Sequence, residues 1–333
     1  MSSAADRRRV GVVGYGAVGR RRRAAIDQHP ELVTVSLCDP AHAPFVDGLP
    51  CAAELPALLA HELDALFVCT PPDVAPAATM AGLAAGLHVF CEKPPGRCAA
   101  DVVAVRAVEA GHPGRALMYG FNHRLHGSVQ RAHALVASGA LGRVVSARGV
   151  YGRSFVADPS DGWRGDPARA GGGILLDQGI HLADLLLWFA GPFAEVHAFV
   201  GRGVHGLPLD DDVHALLRTA DGVVASLHSS AAEWRHRFAL DVALTHGALA
   251  LTGLRTPGGS YAPERLVVRR RGDGPGLFTE TSEDFADDPS WALEVAAFAR
   301  AARTGAPVEH GASRAALAVM ELVDRIYAAD PRP

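Results

Sequence analysis

Over the first third of the chain, short runs rich in Val, Leu and Phe alternate with longer stretches rich in Ala and Leu. The alternation predicts strands at Val10–Val13, Val33–Cys38, Ala65–Cys69, His88–Cys91 and Ala116–Tyr119, separated by helices near Val18–Gln28, Ala53–Ala60, Val74–Ala85 and Ala99–Ala110. Strands joined through helices run parallel, so residues 1–122 are expected to form an α/β domain with a doubly wound parallel sheet. Past Gly120 the texture changes. A helix at about Ser128–Ala137, a strand near Val144–Tyr151, a loop rich in Gly, Pro and Asp reaching Gly173, and an apolar helix Ile174–Phe189 come first. Closely spaced strands follow near Glu195–Val200, Val213–Arg218, Val223–His228, Phe238–Thr245 and Arg265–Arg270, with turn signals such as Asp221-Gly222 between them. That spacing favours an open, mostly antiparallel sheet in a second α/β domain over 123–333, and helices at Trp291–Ala302 and Ser313–Ala328 close the chain, with packing back on the first domain open to them.

A length of 333 residues fits two domains of ordinary size. Charge is close to balanced, 32 basic against 36 acidic residues, which argues against a nucleic-acid partner, because such proteins concentrate positive charge. Of the 32 basic residues, 31 are arginine and one, Lys93, is lysine. An ammonium group is compact and tunable where a guanidinium is wide and always charged, so a lone lysine marks a place where arginine would not serve. Five cysteines without a Cys-x-x-Cys pair point away from a disulfide framework and from a zinc clamp, and suit the cytoplasm. Arg7-Arg8-Arg9 before an apolar stretch imitates an export signal, but three glycines interrupt the stretch and Arg20 to Arg23 close it, so a basic tail leading into a strand is expected. No uninterrupted apolar run reaches the length of a membrane span.

Chemistry enters at Val10–Gly19, which reads V-G-V-V-G-Y-G-A-V-G. Gly14, Gly16 and Gly19 form Gly-x-Gly-x-x-Gly between a strand and a helix. Gly14 suits a tight turn, Gly16 lets a pyrophosphate approach the backbone, and Gly19 lets helix and strand pack closely, with Tyr15, Ala17 and Val18 between them. Twenty residues beyond Gly19, Asp39 ends the second predicted strand, where a carboxylate accepts hydrogen bonds from a ribose. The same residue with Pro40 also fits a plain turn. A carboxylate there favours NAD over NADP; Arg20 to Arg23 could favour a phosphate, but four successive helical residues point around the whole helix and are expected to be mostly solvated.

Lys93 follows the fourth strand in Cys91-Glu92-Lys93-Pro94-Pro95, and ligands of open α/β sheets bind beyond the carboxyl ends of the strands. Glu92 could hold the ammonium or the cofactor. A second constellation, Gly171-Gly172-Gly173 leading to Asp177 and His181, sets a carboxylate and an imidazole four residues apart on one helix face, which Asp184 continues. Such a pair serves a general acid/base histidine, and serves equally as a helix-stabilising pair. His123, His126 and His133 have loose metal-like spacing without cysteine or acidic company, and no metal is expected.

With these motifs, together with Cys69-Thr70-Pro71-Pro72 and Gly120-Phe121-Asn122-His123-Arg124, the sequence resembles the glucose-fructose oxidoreductase, inositol dehydrogenase and rhizopine-catabolism (Gfo/Idh/MocA) family. The resemblance implies a Rossmann domain followed by an α/β domain whose open sheet shields the nicotinamide and mediates assembly into homodimers or homotetramers. It implies hydride transfer between NAD(P) and a secondary alcohol or ketone of a sugar, cyclitol or sugar nucleotide. Lys93, Asp177 and His181 would form the catalytic group and contact substrate. Thr70, Pro71, Pro72, Glu92 and Asn122 match positions lining the cofactor pocket, while Arg124, Tyr151, Arg153, Trp163 and Arg164 are substrate-side candidates. An NAD-dependent glycoside hydrolase of the same fold and an NAD-binding sensor without chemistry are the competing readings.

Overall fold

The structure, a computed structural model, describes residues 7–155, 162–256 and 258–330. Two compact units emerge from the chain's own contacts. One comprises the residues up to Asn122 together with Trp291–Leu317, the other His123–Ser290 with the residues from Ala318 onward.

Seven strands build the first unit's sheet: β1 (Arg8–Val13), β2 (Leu32–Cys38), β3 (Phe45–Val46), β4 (Leu49–Ala52), β5 (Ala65–Val68), β6 (His88–Glu92) and β7 (Leu117–Gly120). Their order across the sheet is β3-β4-β2-β1-β5-β6-β7, parallel except for the β3–β4 hairpin. Helices α1 (Ala17–Gln28), α2 (Leu55–Leu59), α3 (Ala75–Ala84) and α4 (Ala99–Ala110) make the crossovers. Strands β5 and β6 are buried throughout, as two-sided coverage by helices demands. The pattern therefore read correctly, with α2 shorter than the expected Ala53–Ala60 and the small hairpin unforeseen. Asp47-Gly48, both at positive φ, is the turn signal that encodes that hairpin.

The first unit also claims a segment from far along the chain. Helix α8 (Ser290–Thr304), all but its first residue in this unit, brings Phe298 against Phe67 and Phe90, with ring centroids 5.0 and 6.0 Å apart, and Val295 and Ala299 join the same core. His123–Ser290 and Trp291–Leu317 thus belong to different units.

In the second unit eight strands take the order β15-β14-β13-β12-β8-β11-β10-β9. They are β8 (Val144–Ser154), β9 (Phe193–Arg202), β10 (Asp210–Thr219), β11 (Val224–Glu233), β12 (Arg237–Leu244), β13 (Gly247–Thr252), β14 (Glu264–Arg271) and β15 (Phe278–Phe285). Only the β8–β11 pair is parallel. Strands β13 and β15 were not expected from the sequence: one is short, and the other, Phe-Thr-Glu-Thr-Ser-Glu-Asp-Phe, buries almost nothing. Helix α5 (Gly127–Ala137) and the one-turn helix α6 (Pro167–Ala170) precede α7 (Ile180–Ala190). Leu182 of α7 packs so closely on β8 that a Cβ at Gly149 would lie 2.3 Å from its Cδ1. The opposite face of the sheet is open, with Phe199 66% and Leu216 60% exposed. Among the described residues one helical stretch, Pro167–Ala190, is long and apolar enough to cross a membrane, but two thirds of its most apolar 18 residues are buried within the protein, so it reads as a core helix. Helix α9 (Ser313–Ala328) ends the described chain.

Candidate active site

In the first unit the candidate residues stand where five parallel strands end. Gly14 follows β1, Asp39 follows β2, Thr70 to Pro72 follow β5, Lys93 follows β6 and Asn122 follows β7. Parallel direction alone collects them on one edge of the sheet. The three glycines of the loop do different things. Gly14 has φ +84° and a Cβ there would lie 2.5 Å from the Cys69 carbonyl oxygen; at Gly19 it would lie 2.0 Å from the Gly14 carbonyl oxygen. Both are required by packing. A Cβ at Gly16 would meet nothing within 4 Å. What Gly16 keeps clear is open space at the N-terminus of α1, where backbone N–H groups and the helix dipole favour phosphate.

Asp39 is fixed by the same loop. Its Oδ2 accepts the Tyr15 N–H at 2.7 Å and its Oδ1 accepts the Ala41 N–H at 2.9 Å, so backbone groups on either side hold both carboxylate oxygens. The Thr70 hydroxyl is buried without a hydrogen-bond partner among the described residues. An open cradle at Gly16, an orphaned hydroxyl at Thr70 and a rigidly held Asp39 fit a dinucleotide. Arg20 bonds Asp47 at 2.5 Å, and Arg23 bonds the Tyr15 hydroxyl and the Asp47 carbonyl, each at 2.9 Å. These two arginines are therefore committed to the β3–β4 turn.

Arg22 corrects the expectation that the arginine run is solvated. It is 0% exposed, donates to Glu92 at 2.5 Å and to Glu294, and lies 4.5 and 4.1 Å from the ring centres of Phe90 and Trp291. Burial pushes its pKa down, but the Glu294 and Glu92 carboxylates more than reverse this and hold it above the ordinary guanidinium value. Glu92, expected to face the ammonium or the cofactor, thus has one oxygen on Arg22. The residue before Lys93 is anchored in the core, and the Lys93–Pro94 peptide is cis. Lys93 itself is partly exposed.

The second unit holds the imidazole side. Asp177 and His181 do not lie on one regular helix: Leu175–Gly179 is a π-helical turn, and α7 starts at Ile180. π turns inside helices are frequent at functional sites. The run Gly171–Gly173 shapes the entry. Gly171 has φ +74°, and a Cβ at Gly173 would lie 1.9 Å from the Asp210 carbonyl oxygen. Asp210 accepts the Gly173 N–H at 2.6 Å, the Leu175 N–H at 2.9 Å and the Tyr327 hydroxyl at 2.8 Å, anchoring the segment that bears Asp177. Burial raises the Asp210 pKa, partly offset by these donors.

His181 is 4% exposed and stacks face to face on His123, with centroids 3.7 Å apart. His123 Nε2 is 3.1 Å from the Tyr151 hydroxyl, and Tyr151 packs edge-on against Tyr261, whose hydroxyl donates to Gln178 at 3.1 Å. Burial first, then the neighbouring Tyr261 and Asp177, drive the Tyr151 pKa well above its ordinary value. Asp177 Oδ2 accepts from Arg164 Nε at 3.1 Å, and Arg164 lies over the ring of Trp163. Arg153 is partly buried, and its charge lowers the His236 pKa, after burial as the larger cause.

Tyr151, Trp163, Arg164, Asp177 and His181 are thus components of one interacting group, with His123, Tyr261 and Asp210 as members that sequence reasoning assigned no part. Arg124 is placed differently. Both its Nε and Nη2 donate to Asp184, at 2.7 and 2.5 Å, and the pair is buried under Trp188. Its guanidinium is thus held by the Asp184 carboxylate.

Comparison with known proteins agrees with this architecture. Residues 8–121 match the family model "Oxidoreductase family, NAD-binding Rossmann fold", and residues 129–250 match "GFO/IDH/MocA C-terminal domain". The D-xylose 1-dehydrogenase (NADP(+)) 2 of Haloferax volcanii is 30% identical over 324 residues, covering 96% of this chain and 95% of that protein. The 1,5-anhydro-D-fructose reductase of Ensifer adhaerens is 32% identical over 222 residues, covering 64% of this chain and 63% of that protein, just under two thirds of its length. Among solved structures, a levoglucosan dehydrogenase in complex with NADH and L-sorbose superposes with a TM-score of 0.86 over 97% of this chain and 96% of that one, at 20% identity, a likeness of fold. With both of its domains matched and relatives at this level, the chain belongs to the Gfo/Idh/MocA family of NAD-binding oxidoreductases.

Proposed function

We propose that this protein is an NAD-dependent dehydrogenase or reductase acting on a secondary alcohol or ketone of a sugar, cyclitol or sugar nucleotide. The observation that carries the reading is the position of the chain's one lysine, at the end of β6 on the sheet edge that also bears the open Gly16 cradle, Thr70 and Asp39. When bound, NAD accepts or returns the hydride. Gly16, Thr70 and Asp39 would hold it, with Pro71, Pro72 and Asn122 along the same edge.

The protein's own part is proton handling and charge. His181 takes the hydroxyl proton during oxidation and returns it during reduction. Its ring is oriented by the stack on His123, and Asp177, itself held by Arg164, supports its charged form. Lys93 stabilises negative charge as it develops on the substrate oxygen. Tyr151, Arg153, Trp163 and Arg164 face the sugar in this reading. Asp39, with Arg20 and Arg23 committed elsewhere, favours NAD over NADP. The five free thiols suit the cytoplasm, and the open face carrying Phe199 and Leu216 suits assembly into a homodimer or homotetramer.

A panel of sugars, cyclitols and sugar nucleotides incubated with NAD tests this. Substrate-dependent accumulation of NADH, lost in His181→Ala and Lys93→Ala, is the expected result. Sugar release with no net NADH would establish the hydrolase instead.

A further inference from the structure

We propose that the open face of the second unit's sheet carries a site for a divalent transition-metal ion, made by Asp212, His214 and His228, independent of the oxidoreductase reading above. His214 on β10 and His228 on β11 are directly opposed across the strand pair, and Asp212 lies two residues before His214 on the same face. The imidazole rings stack with centroids 3.9 Å apart and planes at 15°. His228 Nε2 is 2.9 Å from Asp212 Oδ1, and His214 Nε2 is 3.4 Å from Asp212 Oδ2. One ligand atom from each residue fits within 4.8 Å of the other two.

The distances suit an ion. Bonds of 2.0–2.1 Å around tetrahedral zinc set neighbouring ligand atoms roughly 3.3 Å apart, and the two nitrogen–oxygen separations bracket that edge. Small side-chain rotations, splaying the stacked rings, would turn both nitrogens onto one centre.

Two imidazoles and a carboxylate select zinc, copper or nickel over calcium or magnesium, which prefer oxygen ligands alone. Three protein ligands leave a fourth position for water. The surroundings leave room for it: Gly201 is opposite Asp212 on β9, while Phe199 is opposite His214 and Val150 opposite His228. Neither apolar flank competes for the carboxylate, whose other neighbour, Ser230 opposite it on β11, donates its hydroxyl to it. Chain spacing conceals the cluster, because a strand pairing and not a local motif brings His228 to His214.

The site lies on the face through which the proposed oligomer would assemble, so the measurement uses the intact protein in its native association state. Zn²⁺ is titrated against a chromophoric chelator, and Co²⁺ is added separately for its visible spectrum. One equivalent of Zn²⁺ per chain is expected, with tetrahedral Co²⁺ bands. Asp212→Asn, His214→Gln and His228→Gln should each weaken binding roughly tenfold or more, and the double histidine variant should abolish it. Melting of each metal-free variant checks that it folds. No stoichiometric binding, or binding that survives the double substitution, would overturn the site.

Discussion

Single side chains divide the candidate site into groups that do chemistry and groups that hold them. If His181 is the acid/base, His181→Ala should lower kcat by roughly 10² to 10⁴, and Lys93→Arg should lower kcat while the affinity for NADH, measured by fluorescence titration, stays near that of the parent. Arg22 is a holding group. Arg22→Met leaves Glu92 and Glu294 buried without their cation, and should cost about 3–5 kcal/mol in urea unfolding, whereas the exposed Arg148→Ala should stay within about 0.5 kcal/mol. Lys93, Asp177 and His181 stand out in the sequence as candidates because their residue types and motifs carry chemical meaning. Arg22 does not, since nothing in a run of four arginines says which one the α1 face turns inward toward residues 70 and 272 positions away. The pairing of Arg124 was hidden for the matching reason: its partner Asp184 lies 60 residues on.

For whole elements, the glycine loop and the entry to α7 are the informative pair. Gly16→Ala adds a methyl group to open space, so the melting temperature should hold while NAD binding weakens about tenfold, worth about 1.4 kcal/mol. Gly19→Ala, forced against the Gly14 carbonyl, should lose folded protein as judged by circular dichroism. Those glycines were readable because their spacing reflects contacts within one turn. The π turn was not: periodicity places Asp177 and His181 on one face, and the carboxylate that anchors the start of the turn, Asp210, is supplied by β10. Asp210→Asn should cost about 1–3 kcal/mol by weakening that anchor, and lower kcat more than it raises KM.

The whole molecule responds to acid through buried pairs of this kind. Glu264 accepts from His126 at 3.0 Å and from the Ser128 and Arg255 N–H groups, each at 2.9 Å. Burial alone would raise its pKa, but His126 and these N–H donors bring it below the ordinary 4.5. The unfolded chain therefore takes up this proton first on acidification. Stability from Glu264 is complete above pH about 4.5 and is lost as pH falls through the folded-state value, so Glu264→Gln should show a shallower acid limb in melting temperature against pH. The change in texture after Gly120 announced two bodies, because sheet type leaves its period in the sequence. That C-terminal helices could pack back on the first domain was open in the sequence, but not which residues return: an amphipathic helix advertises an apolar face without saying which core will receive it.

That return sets a timetable for synthesis. Phe298 leaves the ribosome 208 residues after Phe90, its aromatic neighbour, an interval on the order of 10–40 s at ordinary elongation rates. Throughout it the nascent nucleotide-binding sheet displays Phe67 and Phe90 uncapped, a sticky surface for chaperones to shield, and a ribosome that stalls before codon 298 releases a fragment that cannot close its own centre.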